Sequence, residues 1–150
     1  MKKISLMLLG LLLSSTLTEA AITCQISSQV LSFGTIEPLS SADITSIGGV
    51  NVNCSGGPVA YTIHLSEGYG SMAQRVMRSG SKSLNYNLYT SNSYSNVLGD
   101  GTGGSLVING FSTSSTSDSS YSVYGKVSNI GLSTVEPGTY TDSVSVTIFY

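Results

Sequence analysis

The chain has 150 residues, of which six are basic and eight acidic, for a net charge of −2. This balance offers no basic patch for nucleic acid or anionic lipid, and disordered chains usually carry more charge and fewer aromatic residues. Tyrosine is frequent, tryptophan is absent, and serine, threonine, glycine and asparagine are abundant. The composition therefore predicts a folded, turn-rich β protein with a polar, weakly charged surface.

Residues 1–20 have the features of a secretory signal. Lys2 and Lys3 form a basic start, an apolar run continues to Leu13, and a small-residue cleavage site ends at Ala20. The apolar run is only half as long as a transmembrane helix, which needs about 20 residues. We therefore expect an exported protein whose mature part, residues 21–150, is long enough for one domain with its own core.

Alternation of apolar and polar side chains predicts a series of short strands in the mature part. In chain order, the candidates are residues 22–31, 50–54, 59–65, 84–88, 106–108, 121–127 and 142–150. The last is the clearest, because its apolar side chains alternate with serine and threonine. The apolar members are Val144, Val146, Ile148 and Tyr150.

Turn-forming residues separate these candidates, and no stretch has a sustained helical period. The turn clusters lie at residues 40–43, 55–58, 68–70, 99–104, 112–120 and 136–138. We interpret residues 112–120 as a polar loop. About six to seven short strands with frequent turns are typical of a two-sheet β-sandwich of the immunoglobulin-like type.

The two cysteines are both in phase with apolar, core-facing side chains. Cys24 is predicted to share one face of its strand with Ile26, and Cys54 to share one face with Val52. A bridge between facing strands fits this phase, and export permits it. Closing a loop of about 30 residues contributes roughly 3.5 kcal/mol in the chain-entropy description. A zinc site would need carboxylates besides two cysteines and one histidine, so we predict a disulfide and no metal.

The side chains do not form a pattern typical of an enzyme. His64, the single histidine, falls on the polar face of its strand, and no Gly-x-Ser-x-Gly motif occurs. Nearly all carboxylates lie in predicted turns, where they bond to backbone amides. The glycine-rich run at residues 99–104 occurs once and lacks the lysine of a phosphate-binding loop. We therefore predict no catalytic activity and no cofactor.

Several tyrosines could form an aromatic contact surface. Tyr86 and Tyr121 are in phase with the core, whereas Tyr89, Tyr94 and Tyr124 are free to face solvent. The acidic balance argues against nucleic acid as the ligand. We therefore regard Tyr89 and Tyr124 as candidate adhesive residues, with a glycan or another surface as the ligand.

Short motifs follow one another in a specific order along the mature part. They are Cys24 with Ser-Phe-Gly at residues 32–34, Cys54 before a strand, Arg-Val-Met at residues 75–77, Leu-Asn-Tyr-Asn-Leu-Tyr at residues 84–89, Gly-Asp-Gly-Thr at residues 99–102, Val-Tyr-Gly-Lys at residues 123–126, and residues 137–147. Their order resembles the spore coat protein U domain, which is shared with subunits of archaic chaperone-usher pili. Leu98 replaces the tryptophan that usually precedes Gly-Asp-Gly in this family.

The resemblance implies an incomplete immunoglobulin-like sandwich that lacks its final strand. A periplasmic chaperone would hold it, and the N-terminal strand of a neighbouring subunit would complete it. The apolar strand at residues 142–150 runs to the last residue, which fits a core and an edge that a donor strand covers. We predict that the chaperone and the donor strand contact Val144, Val146, Ile148 and Tyr150.

The implied partners are the periplasmic chaperone, an outer-membrane usher and neighbouring subunits, and the implied location is the cell surface or a fimbria, reached through the periplasm. Only residues 21–23 precede Cys24, which is short for a donor strand. We therefore expect a strand acceptor at or near a pilus tip, supporting attachment and biofilm formation. The alternatives are a spore or cell-surface coat protein outside a pilus and a secreted sugar-binding module.

Overall fold

The computed structural model describes residues 20–37, 42–129 and 135–150. The predicted signal segment up to residue 19 lies outside the described residues, as does part of the predicted turn at residues 40–43. The described residues form eight strands. These are β1 (Thr23–Gln29), β2 (Ile44–Ser55), β3 (Val59–Leu65), β4 (Arg75–Ser79), β5 (Lys82–Tyr89), β6 (Ile108–Ser112), β7 (Thr116–Val127) and β8 (Val146–Phe149).

The strands form two sheets around one core. The larger sheet has the order β1-β2-β7-β5-β4, and the smaller has the order β6-β3-β8, with every strand pair antiparallel. The predicted all-β sandwich of the immunoglobulin-like type is confirmed, with eight strands in place of about six to seven. The described residues contain no helix that is long and apolar enough to cross a membrane.

Period-two alternation correctly identifies the central strands. In β3, Tyr61, Ile63 and Leu65 are buried, and the residues between them are partly exposed. In β5, the same pattern buries Leu84 and Tyr86. Successive side chains of a strand point to opposite faces, so the alternation records which face meets the core.

Three sequence interpretations are wrong at strand boundaries. The candidate strand at residues 106–108 overlaps β6 only at Ile108, because β6 runs from Ile108 to Ser112. Residues 112–120 are not a loop throughout, because β7 begins at Thr116 and pairs with β2 from there to Val127. Backbone pairing with a long neighbour outweighs the weak strand preference of serine. The last strand is shorter than predicted, since β8 begins only at Val146. Strand β4 was not among the predicted strands.

The predicted disulfide is present between Cys24 and Cys54, with an S–S distance of 2.04 Å. The two cysteines are register partners in β1 and β2, so the bridge joins adjacent strands of one sheet and does not cross between the sheets. Both side chains belong to the hydrophobic core. The disulfide therefore fixes β1 at the edge of the larger sheet.

Candidate functional site

A groove of about 880 Å³ opens between the two sheets. Its floor is the inner face of the larger sheet, and its two walls are residues 28–36 and residues 135–146. The floor consists of apolar side chains from four strands. These are Val50, Met77, Leu84, Tyr86, Leu88 and Val123.

The wall formed by residues 28–36, here called the packed wall, is held mainly by its side chains. Leu31 and Phe33 lie over Gly125, where an added Cβ would come within 2.8 Å of Leu31 and 2.9 Å of Phe33. The Phe33 ring also meets the Tyr86 ring edge-on, with 5.9 Å between centroids. Glycine at position 125 therefore provides the space into which this wall packs.

Beyond Gln29, the packed wall makes few hydrogen bonds to the other described residues. The hydroxyl of Ser46 donates to the carbonyl of Ser32 at 2.6 Å. Strand β1 ends at Gln29, where its register with β2 stops. Beyond that point, residues 30–37 have no assigned strand. Packing against the core, more than backbone pairing, therefore positions this wall.

The opposite wall, here called the bonded wall, is residues 135–146. Its backbone exchanges two hydrogen bonds with β4, between Thr141 and Arg78, at 2.8 and 3.0 Å. The carbonyl of Ser145 accepts a bond from the backbone amide of Ser66 at 2.9 Å, and the amide of Ser145 donates to the Ser66 hydroxyl at 2.8 Å. These pairings attach the wall to both sheets.

Asp142 is the polar centre of the bonded wall. Its carboxylate accepts a hydrogen bond from the Tyr86 hydroxyl at 2.7 Å and another from the backbone amide of Tyr69 at 3.1 Å. Gly68 leaves the space for this carboxylate, because a Cβ there would collide with it. Burial is the main cause, and the hydrogen bond to Asp142 the second, of a pKa of Tyr86 that is well above its usual value. Tyr86 therefore stays protonated and donates to Asp142 at neutral pH.

The fully buried Arg75 supports the bonded wall from behind. Its guanidinium donates from Nε and Nη2 to the carbonyl of Ser66, at 3.1 and 2.8 Å, and from Nη1 to Asn87 Oδ1 at 2.7 Å. Burial lowers the pKa of Arg75. Because Ser66 also bonds to Ser145, Arg75 fixes the loop to which the wall is attached.

Strand β8 continues the bonded wall and has one paired edge. It pairs with β3, and no other described strand pairs with it. Val144 and Val146 line the groove, and Ile148 is partly buried against the core. Tyr150 is 55% exposed at the end of the chain's described residues. An apolar floor beside an open strand edge is an arrangement that can receive an extended peptide segment.

The candidate adhesive tyrosines lie away from the groove. Tyr89 and Tyr124 are register partners in β5 and β7, on the outer face of the larger sheet. The predicted turn role of acidic side chains is confirmed for Asp100, whose carboxylate accepts bonds from the amide and hydroxyl of Thr102. His64 is partly buried, and its ring contacts Phe149. Among the described residues, no group of three or more His, Cys, Asp or Glu side chains could hold a metal ion.

Comparison with known proteins decides the family. The family model for the spore coat protein U domain matches residues 11–147. The chain belongs to the spore coat protein U domain family. No curated protein sequence matches the chain.

A solved structure with a similar fold comes from archaic chaperone-usher pili, the class of assemblies that the sequence motifs indicated. It is the CsuC–CsuE chaperone–tip adhesion subunit pre-assembly complex from archaic chaperone-usher Csu pili of Acinetobacter baumannii. The match has a TM-score of 0.56 and 25% sequence identity, and it covers 87% of this chain. This chain spans 40% of the length of the matched chain.

Sequence reasoning missed several residues of the site in this spore coat protein U domain. Phe33, Arg75 and Asp142 all fall within the family motifs, so the motif positions were visible, but no role had been assigned to them. Leu98, which replaces the usual tryptophan, is fully buried and remains a packing residue. The missing signal was the tertiary contact. Phe33 and Asp142 meet partners more than 50 residues away, and Arg75 meets Ser66 and Asn87 on neighbouring elements.

Proposed function

We propose that this chain is a subunit of a chaperone-usher pilus, and that its groove receives an extended strand from another chain. The observation that carries the proposal is the open edge of β8 beside a groove floored by core side chains. An unpaired edge presents free backbone donors and acceptors, and an added strand satisfies them. Its apolar side chains would cover the floor at the same time.

The similar solved structure supports this proposal, because it is a pilus tip adhesion subunit held by its chaperone before assembly. By analogy, a periplasmic chaperone occupies the groove first, and a neighbouring subunit replaces it at an outer-membrane usher. The protein then passes through the periplasm to the cell surface, where the pilus supports attachment and biofilm formation. Its role is structural and not enzymatic.

The proposed contact residues follow the bonded wall into β8. Val144 and Val146 line the groove, so an incoming strand would pack on them directly. Ile148 continues the same face of β8, and Tyr150 extends it into solvent. We propose that all four contact the chaperone or the donor strand.

Thermal unfolding with a donor peptide tests the proposal. The protein is co-expressed with the candidate chaperone, purified from the periplasm, and mixed with a synthetic peptide from the N terminus of a sibling subunit. We expect a one-to-one chaperone complex and a large rise in the melting temperature when the peptide replaces the chaperone. A peptide with its alternating apolar residues changed to serine is the control and should give no rise.

A surface coat protein outside a pilus is the second candidate. The description of the family, spore coat protein U domain, favours it. A coat protein of this kind would be a self-complete domain. It would purify as a stable monomer without a chaperone, and its melting temperature would not respond to the donor peptide.

A further inference from the structure

Four apolar or aromatic side chains form a continuous row on the outer face of the larger sheet. Ile47 of β2 is the register partner of Tyr124 in β7, which is in turn the partner of Tyr89 in β5. The Tyr94 ring meets the Tyr89 ring edge-on, with 5.4 Å between centroids. Ile47 is 64% exposed, and the three tyrosines are partly exposed. We call these four residues the aromatic row.

Tyr94 is held in a backbone conformation that tyrosine rarely adopts. Its φ is +52°, and no other non-glycine residue of the described ranges has a positive φ. The loop enforces this conformation through hydrogen bonds from the Tyr94 amide to the Ser91 carbonyl and from the Thr90 amide to the Asn96 carbonyl. Glycine or asparagine would fit this position with less strain. Strained residues cluster at functional sites, where the strain positions a side chain.

The charges and polar groups around the row indicate the chemistry of its ligand. Lys126 Nζ lies 5.3 Å from the Tyr94 ring centroid and 3.3 Å from the Asp43 carboxylate, so this cation beside the row is already paired. The adjoining loop presents neutral hydroxyl and amide groups. These include Asn92, Ser93 and Ser95, all exposed.

We infer that the aromatic row binds a neutral polysaccharide. Tyrosine has an apolar ring face and a polar hydroxyl, which match the C–H face and the hydroxyl groups of a sugar. Tyrosine with serine and asparagine is also the composition of adaptable contact surfaces. The paired Lys126 and Asp43 leave no net charge to attract an ionic polymer. The inference is independent of the proposed strand exchange, because the groove lies on the other face of the sheet.

Affinity electrophoresis in native gels tests this inference. The mature protein, in whichever assembly it is recovered from the periplasm, is run through gels containing dextran, hydroxyethylcellulose or carboxymethyl-dextran. We expect retardation by at least one of the two neutral polymers and less by the charged one. Y94G and Y124T should each weaken the apparent affinity about fivefold or more, as substitution of a central contact tyrosine does.

A matched control lies on the outer face of the other sheet. Phe111 in β6 is 59% exposed, and F111T should leave the retardation unchanged. Y94G should also melt at a temperature no lower than the parent protein, because glycine relieves the positive φ. Loss of retardation without loss of stability assigns Tyr94 to binding and not to folding.

Three outcomes would overturn the inference. The first is no retardation by either neutral polymer, and the second is retardation that survives both tyrosine substitutions. The third is a loss of retardation in F111T as large as that in Y94G and Y124T. Self-association that depends on Tyr124, measured by sedimentation, would instead assign the row to contacts between copies. Since the donor-peptide experiment reads out the groove separately, failure of one proposal leaves the other intact.

Discussion

The two walls of the groove are built in different ways. The bonded wall is attached by backbone hydrogen bonds at Thr141 and Ser145 and by the carboxylate of Asp142. The packed wall depends on Leu31 and Phe33, which occupy the space left by glycine. Hydrogen bonds have strict geometry, whereas apolar packing is non-directional.

This difference suggests a division of tasks during strand docking. The bonded wall leads into β8. Because the edge of β8 is held in place, it can determine the register in which an incoming strand pairs. Beyond Gln29, where its pairing with β2 ends, the packed wall can shift by small rotations of its side chains without breaking strand pairs. We therefore expect the packed wall to adapt to different occupants of the groove while the bonded wall stays in place.

The largest expected effect comes from a charge at the bonded side of the groove. V146D places an unpaired carboxylate among apolar side chains, which costs several kcal/mol. We expect no soluble chaperone complex to be recovered from the periplasm. T147D is the matched control, since Thr147 is exposed on the opposite face of the same strand. A normal yield of complex from V146D would contradict the proposed contact.

Removal of the disulfide should affect the packed wall more than the bonded wall. The bridge closes a loop between positions 30 residues apart in sequence, so C24A/C54A should lower the free energy of unfolding by about 3.5 kcal/mol. Urea unfolding measures the loss, and amide hydrogen exchange locates it. Faster exchange confined to residues 139–146 would contradict this expectation.

Truncation of the packed wall should have an intermediate effect. F33A removes a partly buried ring that contacts Tyr86, and we expect a loss of about 2 kcal/mol, below the 3–5 kcal/mol typical of a fully buried Phe. T35A, at an exposed position of the same wall, is the control. Because the Phe33 ring does not titrate and its partner Tyr86 stays protonated in this range, the loss measured by urea unfolding should be independent of pH between 6 and about 9.

Neutralising Asp142, the polar centre of the bonded wall, should lower the free energy of unfolding by less than F33A does. D142N keeps the shape of the side chain but removes the charge-assisted bond from Tyr86, for an expected loss of about 1.5 kcal/mol. A double-mutant cycle with Y86F isolates the shared interaction. Fully additive effects would show that the two side chains are not coupled.

The smallest effect is a weakening of the bonded wall at alkaline pH. The folded-state pKa of Tyr86 is raised, so its contribution to stability is complete below the unfolded pKa of about 10 and is lost as pH rises through the folded value. Tyr121, whose pKa burial raises to about 12, adds to the same decline. The melting temperature should fall from pH 10 upward, and less steeply in Y86F. An unchanged slope in Y86F would contradict the assignment.

Much of the fold could be predicted from local pattern. The period-two alternation identified β3 with its observed limits and the buried apolar positions of β5, but it placed the buried Asn87 on the polar face. It could not predict β4, because the five residues Arg75–Ser79 include two arginines and one of them is buried. A buried arginine is stable only where acceptors surround it, and those of Arg75 come from Ser66 and Asn87.

The sequence by itself determined the strand faces, the core phase of Cys24 and Cys54, and the motif order that indicated the family. Only the tertiary structure decided which strands are neighbours, that residues 28–36 form one wall of the groove, and that Tyr94 joins Tyr89 and Tyr124 on the outer face. The physical reason is that alternation along a strand records burial on its two sides, whereas pairing and packing depend on residues far away in the chain.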